Sequence, residues 1–225
     1  MRVMDLEKRY GKKVVFGGES LEVEEGLSIG LVGKNGAGKS TLLRVLCGIE
    51  GVQGGRAGFE GKRVSWPIGF GGGVDGRLHI GAQFRFMGRL MGLGEEEIEE
   101  ELRWVVEQGG LERELRECMA VGTFSSGMRS RFNFFAAMAF DFDVYCFDEV
   151  TAVGDGVFKQ RSRELMRGLK ERGKVVVLTT HNLEDLRGFA DAFVLLRSGA
   201  GAKGGSRLER YGRLDELLYQ YARLS

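Results

Sequence analysis

The chain is poor in cysteine, has no long apolar run and carries almost no net charge. Its three cysteines, Cys47, Cys118 and Cys146, are odd in number and widely spaced, which favours buried free thiols over disulfides or metal ligands. No apolar run approaches the roughly 18–20 residues that span a bilayer, and the N-terminal residues lack the apolar core of a signal peptide. We therefore expect a protein that is made and kept in the cytoplasm. A formal net charge of +1 gives no general attraction to nucleic acid, so no nucleic-acid partner is expected.

Proline is nearly absent, with Pro67 alone against 37 glycines, and this imbalance predicts a loose, turn-rich chain. The hydrophobic fraction of 43% and the charged fraction of 29% are typical of a soluble globular protein. At 225 residues the chain is long enough for one large domain, or for a domain with an inserted subdomain.

A glycine-rich loop between a strand-forming and a helix-forming segment is the most informative motif. The pattern G-x-x-x-x-G-K-S runs from Gly33 to Ser40, where glycines let backbone N–H groups point at phosphate oxygens. Lys39 reaches the β- and γ-phosphates, and Ser40 offers a hydroxyl to Mg²⁺. A glycine turn that ends by chance in Lys-Ser is the alternative, but it does not account for the strand–loop–helix order. The motif predicts nucleoside triphosphate binding through Gly33, Lys34, Asn35, Gly36, Ala37, Gly38, Lys39, Ser40 and Thr41.

Three short apolar runs predict buried strands, at Leu27–Val32, Val144–Phe147 and Val175–Leu178. Each run is followed by a helical pattern, and this alternation is typical of a parallel sheet in an α/β fold. The earlier residues 21–25 alternate apolar and polar side chains, as half-buried strands do. We therefore expect an α/β core with a mostly parallel sheet.

The residues from about 81 to 140 predict a mostly helical subdomain inserted between two of these strands. The acidic run from Glu95 to Glu101 could be a cation site, but a solvated helix face with acids at its N-terminus is the better interpretation. The opposite, buried face of this helix is formed by apolar residues at helical spacing, namely Ile98, Leu102, Val105 and Val106.

These patterns divide the chain into a nucleotide-binding core of residues 1–78 and 141–225 and a helical subdomain of residues 79–140. The last part of the chain, LDELLYQYARL, has apolar side chains at helical spacing. It predicts an amphipathic helix that docks on the core.

Two adjacent carboxylates, Asp148 and Glu149, follow the buried run Val144–Phe147. In an open parallel sheet, ligands bind at the carboxyl ends of the strands. Asp148 is therefore placed to hold Mg²⁺, and Glu149 to polarise the water that attacks the γ-phosphorus. Capping of the next helix is the structural alternative, but the phosphate loop already requires a Mg²⁺ partner.

Histidine occurs twice, as His79 and His181. His181 stands just past the run Val175–Leu178, on the same sheet edge as the carboxylates, and can hydrogen-bond a γ-phosphate. His79 has no such position, and we expect a structural role for it.

A second anion site is predicted where Ser125, Ser126 and Gly127 open a helix that carries Arg129 and Arg131. Hydroxyls and backbone N–H groups at a helix N-terminus bind anions. A plain serine N-cap explains the local sequence equally well. The place of this segment, between the phosphate loop and the strand-end carboxylates, favours the anion site.

In this order, the motifs resemble the ATP-binding subunit of an ABC transporter over nearly the whole chain. The family signature LSGGQ corresponds to residues 124–128, which here are FSSGM. Residues 152–155, AVGD, resemble the family's D-loop, which places Asp155 at the dimer contact. Tyr10 is similar in position to the aromatic that stacks on adenine. The resemblance adds an N-terminal antiparallel β element to the expected fold.

The resemblance implies an ATPase that works as a head-to-tail homodimer, with ATP and Mg²⁺ held between protomers. Each nucleotide would be bound by Lys39, Ser40, Asp148, Glu149 and His181 of one chain and by Ser125 and Gly127 of the other. Hydrolysis would drive a separate polytopic permease, so the chain is expected at the cytoplasmic face of the inner membrane as a peripheral protein. A soluble ABC-type ATPase that is not coupled to transport, or a nucleotide-binding regulator that does not hydrolyse, would be the alternative.

Four segments narrow the resemblance to the ATPases that export capsular polysaccharide: SWPIGFGGG at 65–73, SSGMRSR at 125–131, MAFDFD at 138–143 and DEVTAVGD at 148–155. Exporters of O-antigen and teichoic acid share parts of these segments and are an alternative. The family's Q-loop glutamine has no counterpart in Phe70–Gly76. The resemblance also predicts that the permease docks in a groove between the core and the helical subdomain. This groove is lined by residues Trp66 to Arg77, with Trp66, Phe70 and Val74 as its apolar contacts, and by the helix that begins near Gln83.

Overall fold

The computed structural model describes residues 1–69, 75–149, 156–180, 183–201 and 203–223. In this part of the chain the strands are β1 Arg2–Tyr10, β2 Lys13–Glu22, β3 Ile29–Gly33, β4 Gly54–Gly58, β5 Val64–Gly69, β6 Val144–Asp148, β7 Val175–Thr179, β8 Ala192–Ser198 and β9 Ser206–Tyr211. The helices are α1 Lys39–Leu46, α2 Ile80–Leu90, α3 Glu95–Gly109, α4 Glu112–Arg116, α5 Ser126–Met138, α6 Gly156–Glu171 and α7 Leu214–Ala222.

The larger sheet is mostly parallel and unites the strands that the sequence predicts. Its order among the described residues is β5-β6-β7-β3-β8-β9, with β9 antiparallel to β8. The three predicted buried strands are confirmed as β3, β6 and β7, with ends shifted by one or two residues. Because parallel strands align their carboxyl ends, Gly33, Asp148 and Thr179 lie at one edge, and Asp148 pairs in register with Thr179.

The smaller sheet is antiparallel, in the order β2-β1-β4. Leu6 and Phe16 of this sheet share one core cluster with Leu42 and Leu43 of α1 and with Leu31 of β3. The helix that follows the glycine loop is therefore packed between two sheets. The predicted α/β fold, with a mostly parallel sheet and an N-terminal antiparallel element, is confirmed.

Helices α2 to α5 fall between β5 and β6 in the chain. One face of α3 is buried through the predicted residues Ile98, Leu102, Val105 and Val106. The acidic face pairs with arginines of α2 in the ion pairs Arg85–Glu99 and Arg89–Glu95. These ion pairs at the surface of α3 favour the solvated-face interpretation of the acidic run.

His79 has the structural role that the sequence predicts. It is the N-cap residue of α2, and its Nδ1 accepts a hydrogen bond from the backbone N–H of Ala82 at 3.2 Å. An N-cap acceptor satisfies one of the amide groups that have no partner in the first helical turn.

Aromatic contacts connect the helices after β5 to the strand that carries the carboxylates. Phe134 of α5 packs at 5.6 Å, edge to face, on Phe158 of α6 and at 5.9 Å on Phe147 of β6. Trp66 of β5 packs edge to face on Phe140 and Phe142, at 5.7 and 5.4 Å. Trp66 therefore packs against the core while staying partly exposed, and its place in the predicted docking groove stays a prediction.

The cysteine prediction is only partly right. All three thiols are free, but Cys118 is exposed and Cys47 is partly exposed, so that Cys146 alone is buried. Cys118 has a positive φ of 49° in the turn that follows α4, and such a turn lies at the surface.

One element differs from expectation, since the described residues after β7 form only a short 3₁₀ turn, Leu183–Leu186, before β8. The predicted amphipathic C-terminal helix is confirmed as α7, which docks on the core through the buried Leu217, with Leu214 and Leu218 half-buried. In the described part of the chain, no helix is both long enough and apolar enough to cross a membrane.

Candidate nucleotide-binding site

The glycine-rich loop joins the end of β3 to the start of α1. Strand β3 is buried along its whole length, and α1 begins at Lys39. Gly38 has a φ of 95°, and a Cβ atom there would lie 2.7 Å from Val15 Cγ1. Only glycine adopts this backbone in this space at little cost. The loop therefore presents the N-terminal N–H groups of α1 to an anion.

Lys39 lies buried inside the loop. Its Nζ donates hydrogen bonds to the carbonyl oxygens of Gly33 at 2.8 Å and Lys34 at 3.3 Å. Burial lowers the pKa of Lys39, and the carboxylates of Glu149 and Asp148 partly offset this effect. The nearby carboxylates thus favour the charged ammonium, which is the form that binds phosphate.

Two oxygen ligands from distant parts of the chain meet beside the loop. Asp148 Oδ1 accepts hydrogen bonds from Ser40 Oγ at 3.3 Å and from Thr179 Oγ1 at 2.6 Å. A carboxylate and a hydroxyl are hard oxygen donors, and Mg²⁺ in such sites takes one or two protein ligands together with phosphate oxygens. The pair Ser40–Asp148 therefore fits Mg²⁺.

Glu149 follows β6 with a φ of 56°. The left-handed conformation costs a non-glycine residue roughly 1–2 kcal/mol. Its backbone N–H donates to the carbonyl of Thr179 at 3.1 Å, which extends the pairing of β6 with β7 to this residue. The turn brings Glu149 to the wall of the cavity described next, while Asp148 stays on Ser40.

A cavity of about 390 Å³ opens over the loop, within the size range of nucleotide and cofactor sites. The structure brings most of the predicted loop residues together with Glu149 and Tyr10 around this cavity. Its walls are formed by Tyr10, Lys13, Val15, Asn35, Gly36, Gly38, Lys39, Ser40, Thr41 and Glu149.

The predicted second anion site does not line this cavity. Ser125 is the N-cap residue of α5, and its Oγ accepts from the backbone N–H of Met128 at 3.2 Å. Ser125 and Ser126 are exposed. A single chain thus shows the N-cap arrangement, with these residues open to the surface.

A buried contact ties α5 to the strands that carry the carboxylates. Asn133 Nδ2 donates to the carbonyl of Gly69 at 3.1 Å. A Cβ atom at Gly69 would lie 2.3 Å from the carbonyl oxygen of Asp148, so glycine is required where β5 and β6 end side by side. The helix that begins at Ser126 is therefore fixed relative to Asp148.

Comparison with known proteins decides the family. The model of the ABC transporter family matches residues 16–152, more than half of the chain. The chain belongs to the ABC transporter family. It is therefore a nucleotide-binding ATPase of the ABC type, as the sequence predicts.

Individual relatives cover almost the whole chain. The polysialic acid transport ATP-binding protein KpsT of Escherichia coli is 38% identical over 88% of this chain and 88% of its own length. The capsule polysaccharide export ATP-binding protein CtrD of Neisseria meningitidis is 34% identical over 85% of each chain. A solved structure of an ATP-binding subunit of an ABC transporter has the same fold, with a TM-score of 0.76 at 24% identity over 98% of this chain and 92% of that chain.

Some predicted site residues of this ABC ATPase lie outside the described residues. These are His181 and the D-loop segment with Asp155, together with Phe70 and Val74 of the predicted groove. Their positions relative to the cavity stay predictions.

Sequence reasoning missed two residues of the cavity wall, Lys13 and Val15. Both lie on β2, just after a tight hairpin in which Tyr10 pairs with Lys13. The signal was present, because Gly11 and Lys12 form a two-residue connection of the kind that joins antiparallel strands. A hairpin at this point places Lys13 next to Tyr10.

Proposed function

We propose that this chain is the ATP-hydrolysing subunit of an exporter of capsular-type polysaccharide. It works with a separate polytopic permease, at the cytoplasmic face of the inner membrane, as a peripheral protein. One observation carries the chemistry: Lys39, Ser40 and Glu149 line one cavity, and Asp148, 108 positions after Ser40, accepts a hydrogen bond from the Ser40 hydroxyl.

The relatives support the choice of cargo. KpsT, which is 38% identical to this chain, is named for polysialic acid transport, and CtrD, which is 34% identical, is named for capsule polysaccharide export. These names favour capsular-type cargo over the O-antigen and teichoic-acid alternatives. Because both names specify transport or export, they also disfavour a soluble ABC-type ATPase that is not coupled to transport.

Each residue of the site has a separate proposed role in ATP binding or hydrolysis. Lys39 and the N–H groups of α1 bind the phosphates, and Tyr10 contacts the base. Ser40 and Asp148 would hold Mg²⁺, which supplies charge neutralisation on the β- and γ-phosphate oxygens. Glu149 orients and polarises the attacking water, and His181 donates to the γ-phosphate.

We propose further that the catalytic site is completed by a second copy of the chain. The N-terminus of α5, with its N-cap Ser125 followed by Ser126 and Gly127, lies outside the cavity of its own chain. Both serines are exposed. A helix N-terminus open to the surface can bind the γ-phosphate held by a partner protomer. Asp155 then lies at the contact between the two chains.

A mixing experiment tests the shared site. Lys39→Ala and Ser125→Ala proteins should each be inactive, but their heterodimer has one site with both lesions and one site with none. ATP hydrolysis by the mixture should therefore recover to roughly a quarter of the wild-type rate if the sites fire independently, since about half of the dimers are mixed.

The matched control combines Lys39→Ala with Glu149→Gln, two changes in the same half of the site. Their heterodimer carries one lesion in each site, so no activity should return. Equal recovery in both mixtures would contradict completion across protomers, and so would recovery in neither mixture when wild type also fails to dimerise with ATP. Recovery in neither mixture while wild type dimerises with ATP would show that both sites must fire together.

The permease partner is best tested on the helical part of the chain. We propose the division into a core of residues 1–78 and 141–225 and a helical subdomain of residues 79–140, with the permease bound by the latter. An exposed apolar face is formed by Phe86 and Leu90 of α2 and by Met91, its C-cap residue, and Leu90 is 67% exposed. Exposed apolar residues that cluster in this way mark interaction sites.

Leu90→Glu should abolish export while leaving the basal ATPase rate of the isolated chain close to wild type, because a charge in an apolar contact is costly to bury. The measurement is surface polysaccharide in a host that lacks the native copy, beside ATP turnover in vitro. Tyr219→Glu is the control, since Tyr219 of α7 is 63% exposed and lies outside the helical subdomain. Export that survives Leu90→Glu, or a parallel fall in ATPase rate, would remove α2 from the permease interface.

A further inference from the structure

Tyr10, in the wall of the nucleotide cavity, is held by polar contacts although it is 46% exposed. Its hydroxyl donates a hydrogen bond to Glu50 Oε1. The ammonium of Lys8 lies over its ring, 5.0 Å from the ring centre. An aromatic side chain at an exposed strand end normally samples several rotamers, and these two contacts restrict it to one.

Lys8 and Glu50 form a largely buried ion pair behind this ring. Lys8 Nζ lies 2.8 Å from Glu50 Oε1 and donates to the carbonyl of Gly51 at 2.7 Å. Lys8 is only 5% exposed, an unusual burial for lysine. Burial raises the pKa of Glu50, but the hydrogen bonds from Lys8 and Tyr10 outweigh it, and the net shift is downward. Glu50 is therefore ionised at neutral pH.

The pair also connects the ring to the phosphate loop. Glu50 comes just after α1, the helix that begins at Lys39, and its backbone N–H donates to the carbonyl of Arg44 at 3.3 Å. Lys8 and Tyr10 lie on β1. The position of the ring is thus set relative to the helix whose other end binds the phosphates.

We infer that Lys8 and Glu50 are positioning residues that hold the Tyr10 ring ready to stack on the base of the bound nucleotide. The inference rests on the proposed function, because it requires a nucleotide in this cavity. With Lys8 on one face of the ring, the base stacks on the other face. A ring that is already ordered loses less conformational entropy on binding, so the pair raises the affinity for the base without touching the phosphates.

The test compares two ligands, MgATP and inorganic tripolyphosphate, which has the phosphates but no base. Glu50→Ala should weaken MgATP binding about three- to tenfold and change tripolyphosphate binding less than twofold. Glu50→Gln retains an acceptor for the Tyr10 hydroxyl and should restore most of the loss. Tyr10→Ala removes the stacking surface and should cost roughly tenfold for MgATP, in the range of base–aromatic stacking.

The decisive measurement is whether the effect of Glu50→Ala on MgATP affinity depends on the presence of the Tyr10 ring. In a Tyr10→Ala background, Glu50→Ala should produce no further loss of MgATP affinity. A loss that persists there, or that is equal for both ligands, would show that the pair acts only on the fold and would overturn the inference. If Glu50→Ala fails to fold, Tyr10→Phe takes its place in the test. This variant keeps the ring and removes only the hydroxyl, at an exposed position, and it should show the same three- to tenfold loss of MgATP affinity.

The same titrations separate this inference from the proposed function. Wild-type protein that binds neither ligand would overturn the nucleotide site itself. Wild-type protein that binds tripolyphosphate as tightly as MgATP would leave the phosphate loop intact but overturn any role for Tyr10, Lys8 and Glu50 in holding the base.

Discussion

Glu149→Gln should lower ATP turnover by about 10²-fold or more while leaving ATP affinity nearly unchanged. The amide keeps the size of the side chain and its place at the cavity wall, but it does not polarise water as a carboxylate does. A 10²-fold loss corresponds to about 2.7 kcal/mol of activation free energy. The variant should also accumulate as an ATP-bound dimer, because closure no longer leads to hydrolysis. Steady-state hydrolysis and size-exclusion chromatography with ATP measure the two effects.

Glu60→Gln is the matched control for this change, since Glu60 is exposed and lies outside the wall of the cavity. It should leave both turnover and dimerisation at wild-type values. Near-normal turnover of Glu149→Gln would exclude Glu149 from the activation of water. A loss of ATP affinity of similar size would assign it to binding instead.

Phe134→Ala should reduce the free energy of unfolding by about 3–5 kcal/mol, the usual cost of emptying a phenylalanine site in a core. Phe134 is fully buried and contacts rings on α5, α6 and β6, so neighbouring side chains cannot all collapse into the space. The melting temperature should fall by about 6–20 °C in a chain of this size. Differential scanning calorimetry and urea titration measure the change.

Phe86→Ala offers the same change of side chain at an exposed position of α2, where Phe86 is 54% exposed. Its effect should stay within about 0.5 kcal/mol. If the two variants were equally stable, the aromatic contacts would not hold α5 against β6. Another contact would then have to position α5, the helix that begins within the signature residues 124–128.

Much of the fold and of the candidate site follows from local sequence. The phosphate loop can be recognised from the sequence because its strand, glycines and helix are contiguous in the chain. Lys39 and Ser40 could therefore be identified from their spacing alone. Asp148 and Glu149 could be named because a buried run ends directly before them. Their roles in hydrolysis stay predictions that the variants above test.

The exposure of the thiols was predicted wrongly. All three cysteines were expected to be buried, but Cys118 lies exposed in the turn that follows α4 and Cys47 is partly exposed. The number and spacing of cysteines favour free thiols, whereas the burial of each thiol depends on which parts of the folded chain cover it.

By itself, the sequence determined that this protein has a phosphate loop, buried parallel strands and carboxylates at a strand end. Only the tertiary structure decided which of these parts meet. Ser40 and Asp148 are 108 positions apart and come within 3.3 Å because β7 lies between β6 and β3. The pair Lys8–Glu50 behind Tyr10 likewise exists only when β1 lies against the end of α1. Buried strands have nearly interchangeable apolar sequences, so their order in a sheet depends on how the whole chain buries its core, and local patterns do not contain that information.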